Sequence, residues 1–227
     1  MKNNSSLLLV FILLLGFSSC YDEPEFPNEP FIVGYDGDRG LVFKEVEETG
    51  KPDTLAIRVQ IQDGNGDLGI NDDSSPFFYP VDNQGNYIRF DPEKDEFDCR
   101  VFNFQTYIGT DSVFDTIQYQ LNPDYYNFLV DIYVKGEEEY ELYDFRANCQ
   151  SPPSGRFPPL KKSFENNKPI EGVIQYNLPS FGLLPLFRND SLKISVQIID
   201  RAGNKSNVKV SEPFTLRGVQ VDSEDEG

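Results

Sequence analysis

Leu55-Ala56-Ile57-Arg58-Val59-Gln60-Ile61 carries an apolar side chain at every second position. Leu192-Lys193-Ile194-Ser195-Val196-Gln197-Ile198 repeats the pattern near the other end of the chain. Successive side chains of an extended chain point to opposite faces, so this period of two predicts strands with one buried face. The same reading extends to Phe102, Phe104, Thr106 and Ile108, to Val113, Asp115, Ile117 and Tyr119, and to Phe128, Val130, Ile132 and Val134. Shorter candidate strands are Leu41 to Val46, Tyr87 to Phe90, Tyr140 to Phe145, Gly172 to Tyr176 and Val208 to Leu216. Gly109-Thr110-Asp111 reads as a tight hairpin turn. No stretch sustains a period of 3.6, and Leu183 to Phe187 predicts one helical turn interrupted by Pro185. About ten strands separated by turn-rich breaks predict an all-β, antiparallel β-sandwich.

The composition narrows the function classes. Among 227 residues, 38 are acidic and 20 basic, giving a net charge of −18. Such a chain repels nucleic-acid phosphates, so no nucleic-acid partner is expected. It contains no His and no Trp. That excludes a Ser-His-Asp triad, a Cys-His pair and any His-ligated zinc or haem. Its 19 Phe and 12 Tyr argue against a disordered acidic polymer.

The first residues carry an address. Lys2 gives a positive start, and Leu7 to Phe17 is an unbroken apolar run. That run is shorter than the ~20 residues a bilayer span requires, and it suits the core of a signal peptide. Ser18, Ser19 and Cys20 follow. Leu15-Gly16-Phe17-Ser18-Ser19-Cys20 resembles the lipobox of bacterial lipoproteins, although Phe17 stands where Leu is usual. The resemblance implies a signal peptide over 1–19, lipidation of Cys20 and a membrane anchor. The alternative is a simple cleaved signal with an incidental Cys. Pro24, Pro27 and Pro30 then predict an acidic, extended tether over 20–30. The domain proper is expected over 31–218 and an acidic disordered tail over 219–227. Outside the cytoplasm, Cys99 and Cys149 are expected to form a disulfide, with two buried thiols as the alternative.

The block with the most chemical content is Asp63-Gly64-Asn65-Gly66-Asp67-Leu68-Gly69-Ile70-Asn71-Asp72-Asp73. Oxygen side chains at spacing two, on Asp63, Asn65 and Asp67, can converge on one hard cation. Gly64 and Gly66 let the backbone curl tightly enough to permit it. The opening resembles that of calcium loops, but Leu68 stands where an EF-hand needs Gly and Ser74 where it needs Glu. Asp72 or Asp73 can close a simpler site. The expected cofactor is structural Ca²⁺; the alternative is an Asx-rich turn with solvated side chains. A second cluster is Asp200-Arg201-Ala202-Gly203-Asn204. In a seven-stranded sandwich with Leu55–Ile61 second and Leu192–Ile198 sixth, the following loops share one end. Asp200 or Asn204 can then complete the site.

The D-x-A-G-N turn resembles one near the end of bacterial Ig-like and fibronectin-III-like domains, which implies an Ig-like sandwich with a long central insertion. The acidic Tyr21-Asp22-Glu23-Pro24-Glu25 resembles the surface-export signal of Bacteroidetes lipoproteins. Together with the lipobox and the two Asp/Asn/Gly blocks, it identifies a resemblance to surface lipoproteins of that group. The resemblance implies the outer face of the outer membrane and covers both ends of the domain, not Asp73 to Pro185. The expected function is a non-enzymatic interaction module or accessory subunit docking on an outer-membrane protein. One alternative is glycan binding through Tyr79, Tyr87, Tyr125 and Tyr126, although packing is the commoner role of such rings. Another is a glycosidase using paired carboxylates from acidic runs such as Asp91 to Asp98 and Glu137 to Glu139. Such runs are usually solvated faces.

Overall fold

A computed structural model describes residues 24–46, 50–70, 78–79, 84, 93–94, 102–108, 111–118, 120–122, 125–148, 150–160, 168–180 and 182–221. In chain order the strands begin with β1 (Phe31–Tyr35), β2 (Leu41–Lys44), β3 (Asp53–Asp63) and β4 (Phe78–Tyr79). β5 (Phe102–Ile108), β6 (Asp111–Gln118), β7 (Gln120–Leu121), β8 (Phe128–Lys135) and β9 (Tyr140–Leu142) follow. The chain closes with β10 (Ile170–Ser180), a short helix α1 (Leu183–Phe187), β11 (Leu192–Ile198) and β12 (Lys209–Val210).

The architecture is an all-β antiparallel sandwich. In one sheet β3 lies between β10 on one side and β1 and β2 on the other. The second sheet has the order β12-β11-β8-β9. The insertion between β3 and β8 carries two hairpin-like pairs, β4 with β7 and β5 with β6. β5 and β6 pair up to Ile108 and Asp111, so Asp111 of the expected turn belongs to β6, and 109–110 lie outside the described residues.

The core is the meeting of the two alternating faces predicted from the sequence. Leu55, Ile57, Val59 and Ile61 of β3 are buried, with Arg58, Gln60 and Gln62 turned outward. Ile194, Val196 and Ile198 of β11 and Val130 and Ile132 of β8 are buried opposite them. Burying each such side chain contributes roughly 1.5–3 kcal/mol. Tyr35 ties the sheets together: its hydroxyl donates to the Ile194 carbonyl across the core at 2.7 Å. Burial pushes this hydroxyl far above the usual tyrosine range, so it remains a donor.

The ends of the sandwich differ. At one end α1 buries Leu183 and Phe187, and Phe187 meets Tyr143 edge-to-face at 5.0 Å. Pro185 sits in the first turn of this helix, where its missing N–H has no intrahelical acceptor to lose. β3 starts at this end and β8 finishes here, in the exposed turn Glu137–Glu139. At the other end β3 and β11 terminate together. Some sequence expectations change in extent. β10 runs over eleven residues rather than five, β12 shrinks to two, and β9 stops at Leu142. Tyr87 to Phe90 lies outside the described residues.

Candidate functional site

The loop after β3 and the loop after β11 meet at one end of the sandwich, as the strand directions require. Leu68 forms an antiparallel bridge with Asp200, and the Arg201 N–H donates to the Asp67 carbonyl at 3.4 Å. Leu68 is fully buried. The residue that departs from the EF-hand pattern therefore pins the loop into the core.

Each loop is shaped by its own polar side chains. Asp63 is fully buried, and its Oδ1 accepts from the N–H groups of Asn65 and Gly66, both at 3.1 Å. Asn65 Oδ1 accepts from the Asp67 N–H at 3.2 Å. These are Asx turns, in which a side-chain oxygen replaces a backbone carbonyl. Across the interface, Asp200 clasps Asn204. Oδ1 accepts from the Asn204 N–H at 2.7 Å and Oδ2 from Asn204 Nδ2 at 2.8 Å. Gly66 and Gly203 have φ of +65° and +86°, conformations that a side chain would oppose.

Gly64 has a different reason to be glycine. Its N–H donates to the Pro27 carbonyl at 2.7 Å, and a Cβ there would stand 2.2 Å from the Phe26 carbonyl oxygen. The segment before β1 is thus strapped over the Asp63 turn, and its last residue, Pro30, is buried. No periodicity in 24–30 announces this contact. Its only sequence trace is the glycine itself, which the loop pattern alone assigns to flexibility.

Three carboxylates act on one another electrostatically here. Burial raises the pKa of Asp67, the charges of Asp200 and Asp63 raise it further, and Arg201 opposes them. Asp67 Oδ1 is buried without a hydrogen-bond partner. All the oxygens belong to hard ligands suited to Ca²⁺ rather than to zinc. Among the described residues, no group of three or more His, Cys, Asp or Glu side chains is disposed to hold a metal ion. Asp72, Asp73, Cys20, Cys99 and Cys149 lie outside the described residues.

The Pro-rich segment after β9 is a wedge rather than a free loop. Gly155 bridges Phe128, Phe157 is buried, and Asn127 bonds the backbone of Phe157 in both directions. Among the tyrosines, the ring of Tyr125 is covered by the Arg156 guanidinium at 4.7 Å and meets Tyr126 edge-on at 5.0 Å. Burial pushes the Tyr126 hydroxyl up to about 12, with Tyr125 and Tyr176 adding to the shift. Glu137 to Glu139 are solvated in the β8–β9 turn. An apolar hollow of about 330 Å³ opens beside α1, lined by Phe145, Pro152, Pro153, Leu178, Leu183 and Leu186. Among the described residues, no helix is long and apolar enough to cross a membrane.

No family model, curated protein or solved structure matches this chain.

Proposed function

We propose that this protein is a lipid-anchored, non-enzymatic module of the outer-membrane surface that acts by docking on an outer-membrane protein. The observation that carries the reading is how the loop-end polar groups are used. Asp63 and Asn65 close their own turn, and Asp200 holds Asn204. Groups that in a sequence suggest chemistry serve as fasteners within each loop. These loops then offer shape and surface, and the apolar lining beside α1 suits contact with another protein. The stacking of Arg156 on Tyr125 supports packing rather than sugar binding for that ring. Gentle extraction of the lipoprotein from native membranes and identification of co-purifying chains tests the proposal. A stoichiometric membrane protein is expected; a lone monomer overturns it.

A second reading concerns the ion. The buried Asp67 Oδ1, beside the charges of Asp63 and Asp200, favours weak structural binding of Ca²⁺ that relieves their repulsion. A shift of the melting curve with added Ca²⁺ tests it.

A further inference from the structure

The strap over Gly64 has a consequence for how the anchored module stands. The Gly64 N–H to Pro27 carbonyl bond places residues 26–27 against the Asp63 turn, at the end where β3 and β11 terminate. β1 begins four residues later, at Phe31, which pairs with Gln62. Asn207 fixes the start of that strand to the second sheet. The Ile32 N–H donates to its Oδ1 at 2.7 Å, and its Nδ2 donates to the Ile32 carbonyl at 3.0 Å. The chain therefore enters the sandwich through one defined end and is held there by both sheets.

Covalent geometry sets the rest. Cys20 precedes Phe26 by six residues, and an extended chain spans at most ~3.3–3.6 Å per residue, hence roughly 20 Å. β3 has eleven residues, so the far end of the sandwich lies roughly 35 Å beyond the first. We propose that the Asp63–Asp67 and Asp200–Asn204 loops form the membrane-facing base of the module, and that the end carrying the β8–β9 turn and the hollow beside α1 points outward. This inference rests on lipidation of Cys20. The outward end is then the surface presented to a partner, and the base is screened by the membrane.

The test uses the full lipoprotein reconstituted into phosphatidylcholine vesicles that carry an acceptor dye on a fraction of the headgroups. A donor dye is attached through p-azidophenylalanine placed at 205, replacing the exposed Lys205 of the base, or at 138, replacing the exposed Glu138 of the far turn. Energy transfer several-fold stronger from 205 than from 138 is expected. Inserting a long Gly-Ser stretch between Glu23 and Pro24 should weaken transfer from 205 without altering the melting curve. Equal transfer from both positions, or stronger transfer from 138, overturns the orientation. Mass spectrometry of the mature N-terminus separates the two ideas. An acylated Cys20 with equal transfer defeats the orientation alone, whereas an unacylated Cys20 defeats the anchor and the orientation with it.

Discussion

Asn127 and Phe157 are joined by two hydrogen bonds that imitate a rung of a β-ladder. The Phe157 N–H donates to Asn127 Oδ1 at 2.9 Å, and Asn127 Nδ2 donates to the Phe157 carbonyl at 3.1 Å. Asn127 is 2% exposed. It satisfies both backbone groups of a residue that has no strand partner of its own, in a place water does not reach. Asn127→Ala should leave the Phe157 N–H buried and unbonded, while the Phe157 carbonyl keeps the Ile70 N–H as its donor at 3.1 Å. The expected loss is about 1–3 kcal/mol, the cost of one orphaned buried group. Urea unfolding followed by tyrosine fluorescence measures it; a loss within about 0.5 kcal/mol, the range of an inert surface change, would mean that the pair is ornamental.

Asp67 sets a pH dependence with a definite sign. Its folded-state pKa is raised, chiefly by burial and then by Asp200 and Asp63. The folded chain therefore holds this proton more tightly than the unfolded chain. Stability from this group is fully present below the ordinary carboxylate pKa and is lost as pH rises through the raised value. Asp67→Asn should melt higher than the wild type at pH 7, and the difference should vanish in acid. Melting curves at several pH values in chelator-treated buffer check this, and a variant that melts lower at pH 7 contradicts it.

The calcium reading predicts that millimolar Ca²⁺ raises the wild-type melting temperature and that chelator reverses the rise. At a hundredfold excess over the dissociation constant the stabilisation would be ~2.7 kcal/mol. Asp63→Ala and Asp67→Ala should both abolish the response. Asp63→Ala should in addition lower the calcium-free stability by about 1–2 kcal/mol, because the Asn65 and Gly66 amides lose their acceptor. A wild-type curve unmoved by Ca²⁺ would leave the loops with a fastening role only.

Gly64→Ala tests the strap without touching the core. A Cβ at this position meets the Phe26 carbonyl oxygen at 2.2 Å, so residues 24–30 should lift away. Limited proteolysis should cut the variant faster within this segment, with little change in the melting of the remainder. Unchanged protection of the segment would show that the backbone accommodates the methyl group.

Membrane attachment should depend on Cys20 alone. Cys20→Ala is expected to move the protein from the membrane to the soluble fraction. Replacing Asp22, Glu23 and Glu25 should keep it membrane-bound but shield it from protease added to whole cells.

Much of the sandwich was legible because its central strands have one wet face. β3, β8 and β11 alternate cleanly, and the shared direction of β3 and β11 predicted the meeting of their loops. β1 was not legible. Phe31-Ile32-Val33 is apolar throughout, and Phe31 and Val33 are exposed at 46% and 42% while Ile32 is buried. A register shift between Ile32 and Gly34 then breaks the period. β10 extends beyond the expected Gly172 to Tyr176 because Pro179, ordinarily a strand breaker, lies inside the strand and pairs with Thr54. At the candidate site, Asp63, Asn65, Asp67, Asp200 and Asn204 were found by residue type and spacing. Their hydrogen bonds were not, since the same residues at the same spacing serve a turn and an ion equally well. The strap on Gly64 and the Asn127 pair depend on contacts between distant segments, which no local pattern encodes.

The Phe157 carbonyl also marks where the insertion leaves and rejoins the sandwich. It accepts from Asn127 Nδ2, just before β8, and from the Ile70 N–H at 3.1 Å, just after the β3 loop. The departure and return of the insertion are thus sewn to a single oxygen atom. Whatever lies between can lengthen, shorten or be exchanged while the seam holds, since loop closure grows only slowly more costly with length.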